Sequence, residues 1–431
     1  MSDDRHVRVS WVVVGHRRLR AFSVLAAIAA LAAGALAPVA RGASGGAGLG
    51  SSGTGSGAPI VSHVSAGSPF SARGMWIWVL SSSNGGDLTS IVARARLSGV
   101  RTLMIKSGDG TSTWSQFNAP LVSALHRAGL RVCAWQYVYG VHPVTEAHVG
   151  AAAVADGADC LLIDAESEYE GKYISAQTYV TRLRALIGNR FPVALAGFPY
   201  IDFHPAFPYS VFLGQGAAQY NVPQMYWYDI GTTVDRVYAH TYAYNRVYQR
   251  PIFPLGQIYN SPPAADIRRF RQLSRPYGAG GVSWWDWQEG SGGAWRAASQ
   301  PIGWLSNFTP DSSFVTLGLK DQGDLVVWAQ EHLVSAGLTL VIDGAFGPQT
   351  QAAVLQFQAA HGLTATGVID AGTWQALLRH RPVAVRWTRK GATLASAAHR
   401  GTLVLKTPAS ASLPAKRNEI AGAGGRGRPR G

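Results

Sequence analysis

The residues best suited to chemistry are two carboxylates separated by one residue, Asp164 and Glu166, at the end of the apolar run CLLIDAE. If this run is a β-strand, both side chains point the same way, with Cα atoms about 7 Å apart. Such a pair can cleave a glycosidic bond, because one carboxyl group donates a proton to the leaving oxygen and the other stabilises positive charge at the sugar carbon. The alternative is a role in capping a turn.

Eight short apolar runs between residues 74 and 288 must position this pair. They alternate with segments that carry apolar residues at helical spacing and often end in glycine. Eight strand–helix units over about 215 residues are typical of a (β/α)8 barrel, in which the functional residues follow the carboxyl ends of the strands. The sequence therefore predicts an α/β fold, a TIM-like barrel with its site at those ends.

Several other strand ends carry side chains suited to sugars. Aromatic faces stack on sugar rings, and amides and phenols bond to hydroxyl groups. Because side chains alternate along a strand, only half of each strand's residues point into the barrel. The sequence does not show which half, so the assignment could shift by one residue. The predicted substrate-binding residues are Lys106, Gln136, Tyr226, Tyr228, Asp229, Gln257, Trp285 and Asp286.

The middle of the chain resembles family 25 of the glycoside hydrolases, the lysozyme-like muramidases. The resemblance lies in MIKSGDG (104–110), AWQYVYG (134–140) and the Asp164-x-Glu166 pair. It implies that Glu166 is the acid and Asp164 an electrostatic helper. The first strand departs from that family, because WIW (76–78) stands where the family has another Asp.

The same region also resembles family 18, the chitinase-like hydrolases, whose fourth strand reads D-x-x-D-x-D-x-E. Asp159, Asp164 and Glu166 fit this pattern, and Leu162 replaces its second Asp. Because family 18 uses the substrate's N-acetyl group as nucleophile, this resemblance places the essential acid at Glu166. Both resemblances imply a hydrolase of N-acetylated glycans. The alternative is a degenerate barrel that binds sugar without cutting it.

The most specific pattern lies between residues 323 and 378. Three short amphipathic segments follow one another, with the turn DGAFG before the second. The pattern closely resembles the peptidoglycan-binding domain type 1 over that whole domain, which implies a small three-helix module with peptidoglycan as its partner. In that family, binding is attributed to a shallow groove near the turn. Asp343, Phe346 and Gln358 are therefore candidate binding residues, with a purely structural role as the alternative for each.

The net charge of +14 lies mainly in the tails. Residues 382–431 carry ten Lys or Arg and one Glu, and residues 1–20 carry five Arg and two Asp, so the remainder is nearly neutral. A basic tail can contact anionic wall polymers or a membrane surface. The nearly neutral middle argues against specific nucleic-acid binding.

The five N-terminal arginines precede an apolar run over residues 21–37, as in a secretory signal. The protein is therefore expected to be secreted or associated with the cell surface or wall. Because the run is near the lower length limit for a membrane span, an uncleaved anchor is the alternative. Cys133 and Cys160 are predicted to be small buried residues on neighbouring strands, with a disulfide as the alternative.

The sequence thus predicts an exported glycan hydrolase tethered to peptidoglycan. The histidines show no ligand spacing, so neither a metal nor a cofactor is expected. The predicted organisation is a signal peptide or anchor (1–41), a flexible linker (42–70), a hydrolase-like barrel (71–304), a linker (305–322), a peptidoglycan-binding domain (323–380) and a disordered basic tail (381–431).

Overall fold

The computed structural model describes residues 67–394. The predicted signal or anchor (1–41), most of the 42–70 linker and the tail beyond residue 394 lie outside the described residues. Among the residues described, no helix has the length and apolar character that a membrane span needs.

Eight parallel strands form the first domain. They run in the order β7-β6-β5-β4-β2-β1-β9-β8, and the short β3 pairs antiparallel with β2. Two parallel bridges, Asn221–Ile252 and Gln224–Leu255, join the two ends of this order. The predicted (β/α)8 barrel is therefore confirmed. The strands are β1 (Ala72–Ile77), β2 (Val100–Asp109), β3 (Ser112–Thr113), β4 (Arg131–Val138), β5 (Cys160–Ala165), β6 (Val193–Ala196), β7 (Tyr220–Asn221), β8 (Leu255–Gln257) and β9 (Gly281–Trp285).

Helices alternate with these strands, and side-chain caps begin several of them. Asp87 accepts the N–H groups of Thr89 and Ser90 at the start of α1, and Asn118 accepts that of Leu121 in α2. The barrel helices are α1 (Leu88–Leu97), α2 (Ala119–Arg127), α3 (Pro143–Ala155), α4 (Tyr173–Ile187), α5 (Tyr209–Phe212), α6 (Trp227–Ile230), α7 (Val234–Asn245), α8 (Ala264–Ser274) and α9 (Gly292–Ser299). Short 3₁₀ helices span Leu80–Ser82, Asn84–Gly86, Ser167–Tyr169, Ile201–Phe203 and Arg246–Tyr248.

The barrel has two apolar layers, one in its lumen and one beneath the helices. Alternation along the strands separates them, since successive side chains point to opposite faces. The lumen cluster comprises Phe70, Trp76, Met104, Cys133, Trp135, Tyr137, Cys160, Leu162, Ala194, Ala196, Val222, Phe253 and Leu255. Cys133 and Cys160 are buried neighbours on β4 and β5, as predicted, and a disulfide joins them.

The C-terminal domain consists of α10 (Asp324–Ser335), α11 (Pro348–Ala360) and α12 (Ala371–Leu377). The predicted small helical module is therefore present. Two fully buried glutamines hold its turns in the same way. Gln330 Oε1 accepts the N–H groups of Asp343 and Gly344, while Gln358 Oε1 accepts that of Gly367.

This module packs directly on the barrel. The buried carboxylate of Asp324 accepts hydrogen bonds from Ser210 N and Oγ, both at 2.7 Å, and from Tyr248 Oη at 2.8 Å. The Asp324 N–H donates to Pro205 O. Gly323 has φ 112°, and a Cβ there would lie 2.4 Å from the same carbonyl oxygen. Only glycine therefore allows this close approach.

Further contacts come from α10 and from the segment before it. Trp328 Nε1 donates to Val247 O at 2.8 Å, and Val315 N donates to Ala243 O. Residues 305–322, predicted as a linker, therefore include backbone that is hydrogen-bonded to the barrel. These bonds connect the segment to α7 and to the residue that follows it.

A hairpin follows the module, where the sequence predicted disorder from residue 381 onward. Its strands are β10 (Val385–Thr388) and β11 (Gly391–Leu394). Trp387 is buried, with its ring centroid 4.3 Å from that of Tyr173 on α4. That prediction is wrong for these ten residues, because burying one large aromatic ring outweighs the basic composition around it.

Candidate active site

Asp164 and Glu166 lie at the carboxyl end of β5. Leu162 points into the lumen, and Asp164, two residues further along the strand, points the same way and is 7% exposed. Glu166, two residues further again, is partly exposed. Gln224, which follows β7, donates from Nε2 to Asp164 Oδ1 at 3.0 Å and to Glu166 Oε1 at 3.2 Å. The two carboxylates thus share one amide donor, as close neighbours at one end of the barrel.

A tyrosine connects this pair to a third carboxylate. Tyr137 Oη donates to Glu168 Oε2 at 2.7 Å and lies 3.4 Å from Glu166 Oε2. Burial, followed by the charges of Glu166, Glu168 and Asp164, raises the pKa of Tyr137 well above its ordinary value. The phenol therefore keeps its proton at physiological pH and acts only as a hydrogen-bonding group.

Tryptophan rings surround the lumen beside these carboxylates. The Trp135 ring lies 5.7 Å from that of Trp76 and 5.3 Å from that of Trp285, measured between centroids. Lys106 Nζ lies 4.4 Å from the Trp114 ring and 4.9 Å from the Trp135 ring. Such contacts attract a cation to the negative ring faces. Tryptophan rings inclined at 51–70° to one another and the ammonium group of Lys106 thus line the lumen.

Lys106 is buried, and its ammonium group is paired. Its Nζ lies 2.6 Å from Asp109 Oδ2, and Tyr139 Oη donates to Asp109 Oδ1 at 2.7 Å. The structure places this predicted residue in the lumen, with its charge partly balanced by Asp109.

The residues predicted after β7 and β8 form a second cluster. Tyr259 Oη and Asn260 Nδ2 both donate to the Asp229 carboxylate, the latter at 2.9 Å. Gln257 Oε1 accepts the N–H groups of Tyr228 at 3.0 Å and Asp229 at 3.1 Å, and its side chain is fully buried. Gln257 therefore supports the neighbouring loop, whereas Tyr228, at 46% exposure, faces solvent.

Tyr226, Trp285 and Asp286 complete the predicted set around the lumen. The rings of Tyr226 and Trp285 pack against the lumen cluster. Burial first, then the phenol of Tyr259 and the carboxylates of Asp164 and Glu166, raise the pKa of Tyr226 well above its ordinary value. Asp286 is fully buried and accepts the N–H of Glu289 at 3.1 Å. Tyr226 therefore lies near the two carboxylates, and Trp285 lies beside Trp76 and Trp135.

Gln136 does not belong to this site. It has 0% exposure, and its Nε2 donates to Gly110 O at 3.0 Å and Glu146 O at 2.8 Å. Its neighbours Trp135 and Tyr137 point into the lumen, so Gln136 points outward beneath the helices. The prediction that Gln136 binds substrate is therefore wrong, because the residues on either side of it, and not Gln136 itself, point into the lumen.

Two of the three candidate binding residues of the C-terminal domain are core residues. Phe346 is buried, and Gln358 is fully buried with its Nε2 donating to Val368 O at 2.8 Å. Their predicted binding role is wrong, because neither side chain has surface to offer a ligand. Asp343 is half-buried, and its Oδ1 accepts from Gln330 Nε2 and the Ala345 N–H.

Sequence reasoning missed Gln224 and Glu168. Gln224 lies in VPQMYWYD (222–229), where the aromatic residues are the stronger signal for sugar binding. Glu168 lies beyond the strand, in a 3₁₀ turn that returns it to Tyr137. Within residues 67–394, no group of three or more His, Cys, Asp or Glu side chains is arranged to hold a metal ion.

Comparison with known proteins identifies the C-terminal domain. Residues 322–377 match the sequence model of the family described as "Putative peptidoglycan binding domain". A search of curated proteins gave no match.

Solved structures resemble parts of the chain. A Burkholderia phage endolysin matches at 44% identity and a peptidoglycan-binding protein from Clostridioides difficile at 37%, each over 15% of this chain with a TM-score of 0.15. The chain spans 24% and 41% of those proteins' lengths. The Bacillus cereus spore cortex-lytic enzyme SleL matches at 11% identity over 55% of this chain and 76% of that chain, with a TM-score of 0.41. A Chromobacterium violaceum chitinase matches at 11% over 53% and 98%, with a TM-score of 0.38.

Proposed function

We propose that this protein is an exported cell-wall glycoside hydrolase, lysozyme-like or N-acetylglucosaminidase-like, that cleaves N-acetylated glycan and binds peptidoglycan through its C-terminal domain. The observation that carries the proposal is the pair Asp164 and Glu166, which share the amide of Gln224 beside an aromatic lumen. The family match of residues 322–377 supports peptidoglycan as the partner.

Glu166 is the proposed acid. Tyr137 Oη lies 3.4 Å from Glu166 Oε2 but only 2.7 Å from Glu168 Oε2, so its hydrogen bond stabilises the charge of Glu168 more than that of Glu166. The negative charge of Glu168 also disfavours ionisation of Glu166. A protonated Glu166 can then transfer its proton to the leaving glycosidic oxygen as the bond to the sugar carbon breaks.

Asp164 is the proposed electrostatic partner. It accepts the shorter of the two hydrogen bonds from Gln224 Nε2, at 3.0 Å against 3.2 Å for Glu166, and such a bond favours the ionised form. Its negative charge stabilises the positive charge that develops at the sugar carbon. Water then supplies a hydroxyl group to that carbon, and its proton returns to Glu166.

The aromatic wall supplies the sugar-binding surface in this proposal. The partly buried rings of Trp285 and Tyr226 pack against the lumen cluster, and rings of this kind stack on the apolar faces of sugars. The docked module holds peptidoglycan at a fixed position relative to the barrel, which raises the local concentration of glycan at the mouth.

A second candidate is a barrel that binds glycan without cutting it. Trp76 and Leu162 both lie in the lumen, at the positions where the two resembling hydrolase families carry additional Asp residues. A lumen filled by apolar side chains at these places has fewer groups to orient a nucleophile or to stabilise charge.

Purified wall sacculi incubated with the full chain separate the two candidates. Glycosidic cleavage creates new reducing ends, and mass analysis of the released fragments identifies the sugar at each end. A hydrolase releases reducing ends in proportion to time and enzyme. A protein that sediments with sacculi yet releases none, over a broad pH range, contradicts the proposed activity and leaves the binding function.

A further inference from the structure

A pocket of about 390 Å³ lies outside the barrel lumen. Its floor is α7, and its sides are Tyr200, from the loop after β6, and Asp311, from the segment before the module. The capping residue of α7, Thr233, follows β7 and α6, so the helix starts at the end of the barrel where Asp164 and Glu166 lie. The pocket thus begins near the barrel mouth and runs along α7.

A stack of flat rings forms one wall of this pocket. The His240 and Tyr244 rings are nearly parallel, at 7° with centroids 4.5 Å apart, and Tyr200 lies 3.9 Å from His240 on centroids. His240 Nε2 lies 2.7 Å from Asp202 Oδ1, which holds the imidazole in place. These rings are therefore held in one orientation while His240 and Tyr244 remain partly exposed.

The rim of the pocket is polar and carries charges of both signs, because Arg236 and Asp311 both line it. Arg236, one turn before His240 on α7, is exposed, and Thr232 contributes a hydroxyl group. A guanidinium binds carboxylates through two parallel N–H donors, and the ring wall suits the apolar face of a sugar. The combination fits a ligand with one saccharide ring and one carboxylate.

We propose that this pocket is an accessory site for a carboxylate-bearing saccharide, with Tyr244 against the sugar ring and Arg236 on the carboxylate. Muramic acid, with its lactyl carboxyl group, and the peptide-substituted sugars of peptidoglycan have this chemistry, so the inference rests on the proposed wall substrate. A glycan strand leaving the barrel mouth along α7 would pass this pocket before it reached the module. The site would thus bind the acidic sugar of a peptidoglycan strand. Chitin contains no such sugar and would not engage Arg236 in this way.

The test is direct titration of the full chain, followed by NMR or calorimetry, with N-acetylmuramic acid and N-acetylglucosamine as probes. Arg236→Gln should weaken binding of the muramic acid about tenfold and leave the neutral sugar unchanged. Tyr244→Ala should weaken both probes. Arg101→Gln is the matched control, because Arg101 is exposed at the start of β2, at the opposite end of the barrel.

The outcomes separate this inference from the proposed activity. Equal binding of muramic acid by wild type and Arg236→Gln overturns the accessory site, even if wild type still hydrolyses sacculi. Absence of any binding by wild type overturns it as well. If wild type binds muramic acid through Arg236 but releases no reducing ends, the accessory site stands and the hydrolase assignment fails.

Discussion

One buried carboxylate lies at the contact between barrel and module, and Asp324→Ala tests its contribution to stability. The substitution leaves the Ser210 N–H and Oγ–H groups and the phenols of Tyr248 and Tyr173 buried without their acceptor. Each unsatisfied buried donor costs about 1–3 kcal/mol, and removal of a desolvated charge offsets part of that sum. We expect a net loss of about 3 kcal/mol in the free energy of unfolding.

Chemical denaturation of the full chain measures this loss. Asp156→Ala is the control, since Asp156 lies at the end of α3, outside the described contact with the module. A second transition at low denaturant in Asp324→Ala would indicate that the module separates before the barrel unfolds. An Asp324→Ala protein that unfolds at the same denaturant concentration as wild type would refute the interface described here.

The same residue makes stability depend on pH. Burial, opposed by hydrogen bonds from Ser210, Tyr248 and Tyr173, raises the pKa of Asp324 from 3.8 to about 6. The folded state therefore binds this proton more tightly than the unfolded state, and stability falls as pH rises from about 4 through 6. A two-unit difference corresponds to roughly 3 kcal/mol. Asp324→Asn should flatten this dependence, but some remains because burial also raises the pKa of the adjacent Glu331.

Two further predictions concern the site and the hairpin. Glu168→Gln removes the negative charge that disfavours ionisation of Glu166, so the alkaline limb of the pH–rate profile should move to lower pH, whereas Glu170→Gln should leave it in place. An unchanged profile would remove Glu168 from the mechanism. Trp387→Ala should lower the free energy of unfolding by about 3 kcal/mol, because its ring is buried against Tyr173. A change below about 0.5 kcal/mol in denaturation would show that the hairpin does not dock in solution.

The barrel could be predicted because the pattern of an apolar run followed by a helical segment occurs eight times in the sequence. Eight apolar runs separated by helical segments all indicate one architecture, so an error in any single run leaves the conclusion intact. The neighbouring positions of Asp164 and Glu166 follow from strand alternation alone. Gln136 shows the limit of that rule, because the sequence does not say which parity of β4 faces the lumen.

Other features depend on contacts between distant parts of the chain. Gln224 reaches Asp164 across about sixty residues, and Glu168 meets Tyr137 across about thirty, so neither pairing leaves a local pattern. Trp387 lies among basic residues, and that composition predicted disorder. Its burial depends on packing against Tyr173 of α4, which is distant in sequence. The docking of the module likewise depends on tertiary partners that spacing does not reveal.

The most direct test of the central claim is the rate at which Glu166→Gln releases reducing ends from purified sacculi, compared with wild type and with Glu170→Gln. The amide keeps the shape of the side chain but has no proton to transfer to a leaving oxygen. General acid catalysis contributes about 10²–10⁴-fold, so the account predicts a loss in that range with unchanged binding to sacculi and an unchanged melting temperature. A well-folded Glu166→Gln protein that hydrolyses sacculi as fast as wild type would contradict it.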